Sequence, residues 1–130
     1  MDAEKIQYQI LIVDDSDFSR SNISKMLQSD RYNIIGEANC AKEAISILNN
    51  RSAHVAIVDI VMPEVSGIEL AEYINENFSS TFVIMISSLG QESIVIDSIS
   101  AGASDFIQKP FTKEELITSL EKILSGIEEV

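Results

Sequence analysis

The chain has 130 residues, 45% of them hydrophobic and 23% charged, which fits one globular domain able to fold without a metal or disulfide staple. Its single cysteine, Cys40, excludes an intramolecular disulfide and suits a cytoplasmic setting. A net charge of −12 sets its general field against nucleic acid and anionic lipid and in favour of cations or basic protein patches, and no apolar run approaches the roughly 18 residues of a membrane span.

The N-terminal MDAEKIQYQ lacks the basic segment and long apolar run of a signal peptide. QILIV (9–13) is the first of five short Ile- and Val-rich runs that read as strands covered on both faces. It stops at two adjacent carboxylates, Asp14 and Asp15. Ser16 or Asp17 can open the helix that follows, marked by Phe18, Ile23, Met26 and Leu27. YNIIGEA (32–38) is the second strand, followed by a helix marked by Ala41, Ala44, Ile45 and Leu48; Cys40 reads as a small packing residue beside it. His54, the only histidine, sits at the entry of VAIVDI (55–60), a strand-entry position rather than that of a base; Asp59 lies at this run's end. Ser66 opens a third helix carrying Ile68, Leu70, Ala71 and Ile74. FVIMIS (82–87) ends at Ser87 and Ser88 and leads to a fourth helix marked by Val95 and Ile99, with Gly102 as its stop. DFIQ (105–108) runs into Lys109 and Pro110. Thr112, with Glu115 three residues on, forms a capping box for a last helix bearing Leu116, Ile117, Leu120, Ile123 and Leu124.

Strict alternation of strands and helices predicts an α/β fold with a doubly wound parallel sheet and right-handed crossovers. There is no internal repeat and no linker, so residues 1–130 read as a single domain with a core over about 8–125 and no output domain. Open α/β sheets bind ligands at the carboxyl ends of their strands. That edge collects Asp14, Asp15, Asp59, Ser87, Ser88 and Lys109. Each alone is ordinary turn, cap or surface chemistry. Jointly, at four of five strand ends, they form a constellation. Three carboxylates so placed repel one another unless a cation intervenes, and Mg²⁺, which takes one or two carboxylates and keeps waters, suits the position. Lys109 supplies a compact positive charge, Ser87 a hydroxyl donor, and one carboxylate could be a nucleophile forming an acyl phosphate.

The acidic pair in LIVDDSDFSR, the Asp of VDIVMPEVSG, the Ser of MISSLG and the Lys–Pro of DFIQKPF, in this order and at these spacings, resemble a response-regulator receiver domain over nearly the whole chain. The run SSLGQESIVIDSISAGASDFIQKPF is most similar to single-domain chemotaxis regulators of the CheY type. The resemblance implies a flavodoxin-like sheet in the order 2-1-3-4-5. It implies that Asp59 accepts a phosphoryl group from a histidine kinase, and that Asp15 and Asp59 bind Mg²⁺ directly with the backbone carbonyl of Val61, Asp14 helping mainly through water. Ser87 would bond the phosphoryl group. Lys109 would pair with Asp59 or its phosphate, and the Lys109–Pro110 peptide would be cis. Phe106 would be the switch aromatic, turning inward as Ser87 moves. Val61 and Leu89 stand where the family tunes phosphate lifetime.

The resemblance thus implies a signalling switch, catalysing its own phosphoryl transfer and slow self-dephosphorylation rather than acting as an enzyme on other substrates. The implied readout is the face of the fourth helix, fifth strand and fifth helix. Ile94, Val95, Ile96 and Ile99 span about 200° of the fourth helix, so Ile94 or Ile96 is expected to stay exposed, with Gln108 and Lys113 bordering the patch. The implied partners are the kinase, an output protein such as the flagellar motor switch, and a phosphatase; no nucleic acid or membrane is expected, and the protein is expected to be a monomer. The alternatives are a phosphorelay receiver or phosphate sink outside chemotaxis, a small aspartyl-phosphate phosphatase using the D-x-D spacing of Asp15 and Asp17, and a flavodoxin-like electron carrier.

Overall fold

The structure is a computed structural model and describes residues 6–128. Ten elements alternate along the chain: β1 (Tyr8–Val13), α1 (Asp17–Met26), β2 (Tyr32–Ala38), α2 (Ala41–Asn50), β3 (Val55–Asp59), α3 (Gly67–Asn77), β4 (Phe82–Ser87), α4 (Glu92–Ser100), β5 (Asp105–Gln108) and α5 (Lys113–Glu128). The strands form one five-stranded sheet in the order β2-β1-β3-β4-β5, every neighbouring pair parallel. The expected α/β doubly wound sheet and its order are therefore observed. The order reverses at β1, which lies between β2 and β3, so the crevice beyond Val13 and Asp59 is the topological switch point.

The strands are apolar on both faces because helices cover both. Alternate residues of β1 divide between two layers: Leu11 and Val13 pack with Ala44, Leu48, Leu70 and Ile74 from α2 and α3, whereas Ile10 and Ile12 pack with Ile23, Leu116, Leu120 and Leu124 from α1 and α5. This two-sided burial is what makes near-continuous Ile and Val runs stable as strands here.

Local signals set the helix starts. Ser16 is the cap of α1, its Oγ accepting from the Ser19 amide. Ser66 and Glu69 form a capping box at α3, and Thr112 and Glu115 exchange the same pair of bonds at α5. Gly102 follows α4 with φ +103, a backbone conformation that costs glycine little. His54 takes its expected place at strand entry, its Nδ1 accepting from the Gln9 amide at 2.9 Å. Cys40 is half-buried at the α2 cap. At the far end of the sheet, Arg31 grips Glu121 with bonds of 2.6 and 2.7 Å, and Tyr32 also donates to Glu121, fastening α5 to β2.

Two expected core markers face water instead. Phe18 is 80% exposed. At about 100° per residue it lies roughly 180° from Leu27 and 140° from Ile23, the buried residues that fix α1's inner face. On α4 the inward residue is Ser98, whose hydroxyl donates to the Ile94 carbonyl, while Ile96 and Ile99 are 56% and 49% exposed. Ile99 sits about 100° from Ser98, off the arc that Ile94 shares with it. The small Ser98 and Ala101 let α4 approach the sheet, which leaves the larger isoleucines outward.

Candidate functional site: an acidic cluster at the switch point

The carboxyl ends of β1 and β3 bring Asp14, Asp15 and Asp59 together, with one oxygen from each within 4.8 Å of the others. Asp14 is fully buried and Asp59 is 6% exposed, whereas Asp15 faces solvent. One Asp14 oxygen accepts from the Ser16 amide at 2.9 Å, which closes the turn between strand and helix. The cluster thus has two buried anions backed by structure and one open to water. Burial pushes the Asp59 carboxyl up to about 6; the charge of Asp14 adds to this, Lys109 opposes it, Asp15 adds again, and the Val61 amide eases it.

Lys109, just past β5, is the one cation set into this cluster among the described residues. Its Nζ lies 2.9 Å from Asp14 and 3.7 Å from Asp59, and 3.4 Å from the Ser19 hydroxyl. The tighter pairing is therefore with Asp14. The geometry is understandable: Asp14 is the more deeply buried carboxylate, and the Lys109 backbone is held by donation to the Ser87 carbonyl at 2.8 Å while its side chain reaches past the ends of β4 and β3 to the end of β1. The Lys109–Pro110 peptide is cis. Ser87 is fully buried at the end of β4, and its Oγ accepts from the Leu89 amide at 3.0 Å. Ser88 is exposed. Phe106 is half-buried on β5, packed against the layer under α2 and α3. Val61 is 55% exposed in the loop after β3. Asp17 does not join the cluster; it is exposed and ion-paired with Arg20, so the D-x-D spacing assembles no second pair here.

The sequence model for the response regulator receiver domain matches residues 10–121. The chain belongs to the response regulator receiver domain family. It is 36% identical over 118 residues to the chemotaxis protein CheY of Bacillus subtilis, covering 91% of this chain and 98% of that protein. It is 34% identical to the CheY of Thermotoga maritima over 88% of this chain and 96% of the other. Among solved structures, a chain of the CheX–CheY–BeF3–Mg²⁺ complex from Borrelia burgdorferi superposes with a TM-score of 0.86 and 33% identity, covering 92% of this chain and 90% of that one. The protein is accordingly a receiver domain of two-component signal transduction, a signalling switch with an acidic cluster able to hold a metal ion. Among the described residues, no helix is long and apolar enough to cross a membrane.

Three supporting residues escaped the sequence reading. Arg20 donates to the Asp14 carbonyl at 2.6 Å, pairs with Asp17 and approaches Glu37 at 3.5 Å, so a guanidinium braces the strand end from behind. Its i+6 spacing from Asp14 carries no motif. Gly67, first residue of α3, lets the chain pass the β3 end: a Cβ there would sit 2.2 Å from the Asp59 carbonyl oxygen. Glu64, in the same loop, has φ +69, the left-handed region that a non-glycine residue rarely adopts. An EVSG sequence gives no warning of either.

Proposed function

We propose that Asp59 is phosphorylated by a histidine kinase in a Mg²⁺-dependent reaction and that the phosphorylated protein switches partner binding through Ser87 and Phe106. The observation that carries this reading is the convergence of three carboxylates within 4.8 Å, with Lys109 beside two of them. A hard divalent ion fits this donor set: its ligands are all oxygens, and burial first, then the Asp14 charge, hold the Asp59 carboxyl above its ordinary range although Lys109 opposes them. Asp14, Asp15 and Asp59, with the Val61 carbonyl, would hold the ion. When bound it would neutralise the cluster and the charge developing on the transferred phosphoryl group.

The chain's own residues then divide the work. Asp59 attacks phosphorus in line, the bond to the donor's histidine nitrogen breaking as the bond to the carboxylate oxygen forms. Lys109 turns from Asp14 toward the new dianion. Ser87, which now accepts from Leu89, offers its hydroxyl proton to a phosphoryl oxygen, and such charge-assisted bonds favour one member of a pre-existing pair of conformations. Displacement of Ser87 leaves room for Phe106 to move inward. The output protein would meet the face of α4, β5 and α5, where Ile96 and Ile99 are already exposed.

The CheY relatives are chemotaxis proteins and the chain covers nearly their whole length, which supports chemotaxis as the pathway; we propose a flagellar motor component as output and a phosphatase as a further partner. The test is labelling by acetyl phosphate. Wild-type protein should label with Mg²⁺ and not with EDTA, and Asp59→Asn should not label at all. Persistent labelling of the variant at another residue would overturn the assignment of Asp59. Pull-down with beryllofluoride-loaded protein would decide between a motor component and a phosphorelay transferase.

A further inference from the structure

Asp105, outside the acidic cluster, is the meeting point of three bonds. It opens β5, the four-residue strand at the sheet edge. Its Oδ1 accepts from the backbone amide of Phe106 at 2.8 Å. Its Oδ2 accepts from the Ser119 hydroxyl at 2.6 Å, and the Lys122 ammonium lies 3.3 Å from the same oxygen. Ser119 is 4% exposed and sits beside the buried Leu116 and Leu120, so on the α5 side this contact is anchored in packed core. Burial works to raise the Asp105 carboxyl, but the bonds from Ser119, the Phe106 amide and Lys122 outweigh it and hold the group below its usual range.

Residues of a strand alternate between faces. Phe106 packs into the layer under α2 and α3, while Ile107 belongs to the α5 layer and Asp105 reaches Ser119 on α5. The other end of β5 leads into Lys109, which reaches Asp14 and Asp59. A short edge strand is thus held at one end by the acidic cluster and at the other by a buried serine of α5. Beside it lies a groove of about 400 Å³ lined by Phe106, Gln108, Glu115, Ser119 and Lys122, so the strand has open space along this side.

We infer that Asp105 is a positioning residue: its bridge from the Phe106 amide to the Ser119 hydroxyl ties the aromatic to α5 and holds the arrangement seen here against the inward one. This rests on Phe106 being the switch. The bridge fixes the Phe106 amide, and with it the backbone that carries the ring, against α5. A group that stabilises one of two arrangements changes the affinity of any ligand selecting the other.

The test uses the full chain with fluorine-labelled phenylalanine and NMR. Ser119→Ala removes the anchor and leaves Asp105 its bonds to Phe106 and Lys122. The Phe106 resonance of this variant should move, without any ligand, toward its position in beryllofluoride-loaded wild type. Its beryllofluoride midpoint at saturating Mg²⁺ should fall by about threefold or more. Asp105→Asn, whose amide can accept from Phe106 and donate to the Ser119 oxygen, should keep the wild-type resonance. A Ser119→Ala protein with lower thermal stability but unchanged Phe106 resonance and midpoint would overturn the inference, as would a weaker midpoint. If beryllofluoride leaves the Phe106 resonance of the wild type unmoved, the switch reading fails. The inference, which rests on that reading, falls with it, whereas a wild-type resonance that moves on loading while unliganded Ser119→Ala matches unliganded wild type overturns the inference alone.

Discussion

Crowding of buried carboxylates gives Asp59→Asn a defined thermodynamic signature. Asp59 is 6% exposed, and burial followed by the Asp14 charge pushes its carboxyl from 3.8 up to about 6. Each pKa unit corresponds to about 1.4 kcal/mol, so the ionised group costs the metal-free folded state about 3 kcal/mol at pH 7.5. A raised carboxyl binds its proton more tightly in the folded than in the unfolded chain. The cost is therefore absent below about pH 4, grows between about 4 and 6, and is complete above that window. Asparagine carries no such cost. Urea denaturation in EDTA should find Asp59→Asn more stable than wild type by about 3 kcal/mol at pH 7.5, shrinking to about 1 kcal/mol at pH 4.5. Millimolar Mg²⁺ should stabilise wild type and leave the variant nearly unchanged, because only the native acidic site gains a ligand. A variant no more stable than wild type at pH 7.5, or a gap that does not narrow on acidification, would refute the reasoning.

Three other perturbations probe its supports. Lys109→Met leaves Asp14 and Asp59 without their shared cation; it should destabilise the metal-free protein by about 2–4 kcal/mol in urea and slow acetyl phosphate labelling by about tenfold or more. Gly67→Ala puts a Cβ 2.2 Å from the Asp59 carbonyl oxygen and 2.8 Å from the Ile60 Cα, so calorimetry should find a loss of about 3 kcal/mol and labelling should fall with the displaced loop. Leu120→Ala, fully buried under the sheet and far from the rim, should cost about 3–4 kcal/mol in urea without changing the midpoint for Mg²⁺.

The sheet was legible because its strands are covered twice. A run such as VAIVDI has no polar face to confuse with a helix, and β1, β3 and β5 are each followed by a cap that the structure uses: Ser16, Ser66 and Thr112 all accept from the amide three residues on. The acidic rim was legible for a topological reason. Parallel strands share one carboxyl edge, so residues distant in sequence meet once the alternation is recognised.

What failed to show was direction around a helix and support from behind. Phe18 and Ile99 look like core residues by type, but Ile23, Leu27 and Ser98 decide which arc faces inward, and a buried serine gives no hydropathy signal. Arg20 reads as a surface arginine until the turn at Asp14 folds its carbonyl toward the guanidinium. The share of Lys109 between Asp14 and Asp59 depends on which carboxylate is deeper, and burial depth at a strand end is a property of the packed fold.

Whether the acidic cluster holds Mg²⁺ is tested by a Mg²⁺ titration of the unphosphorylated protein followed by backbone amide NMR. One saturable site is expected, with the largest shifts at residues 14, 15, 59 and 61, abolished when Asp14, Asp15 and Asp59 are replaced together by Asn. Shifts spread over the acidic surface without saturation, or shifts that survive the triple substitution, would contradict it.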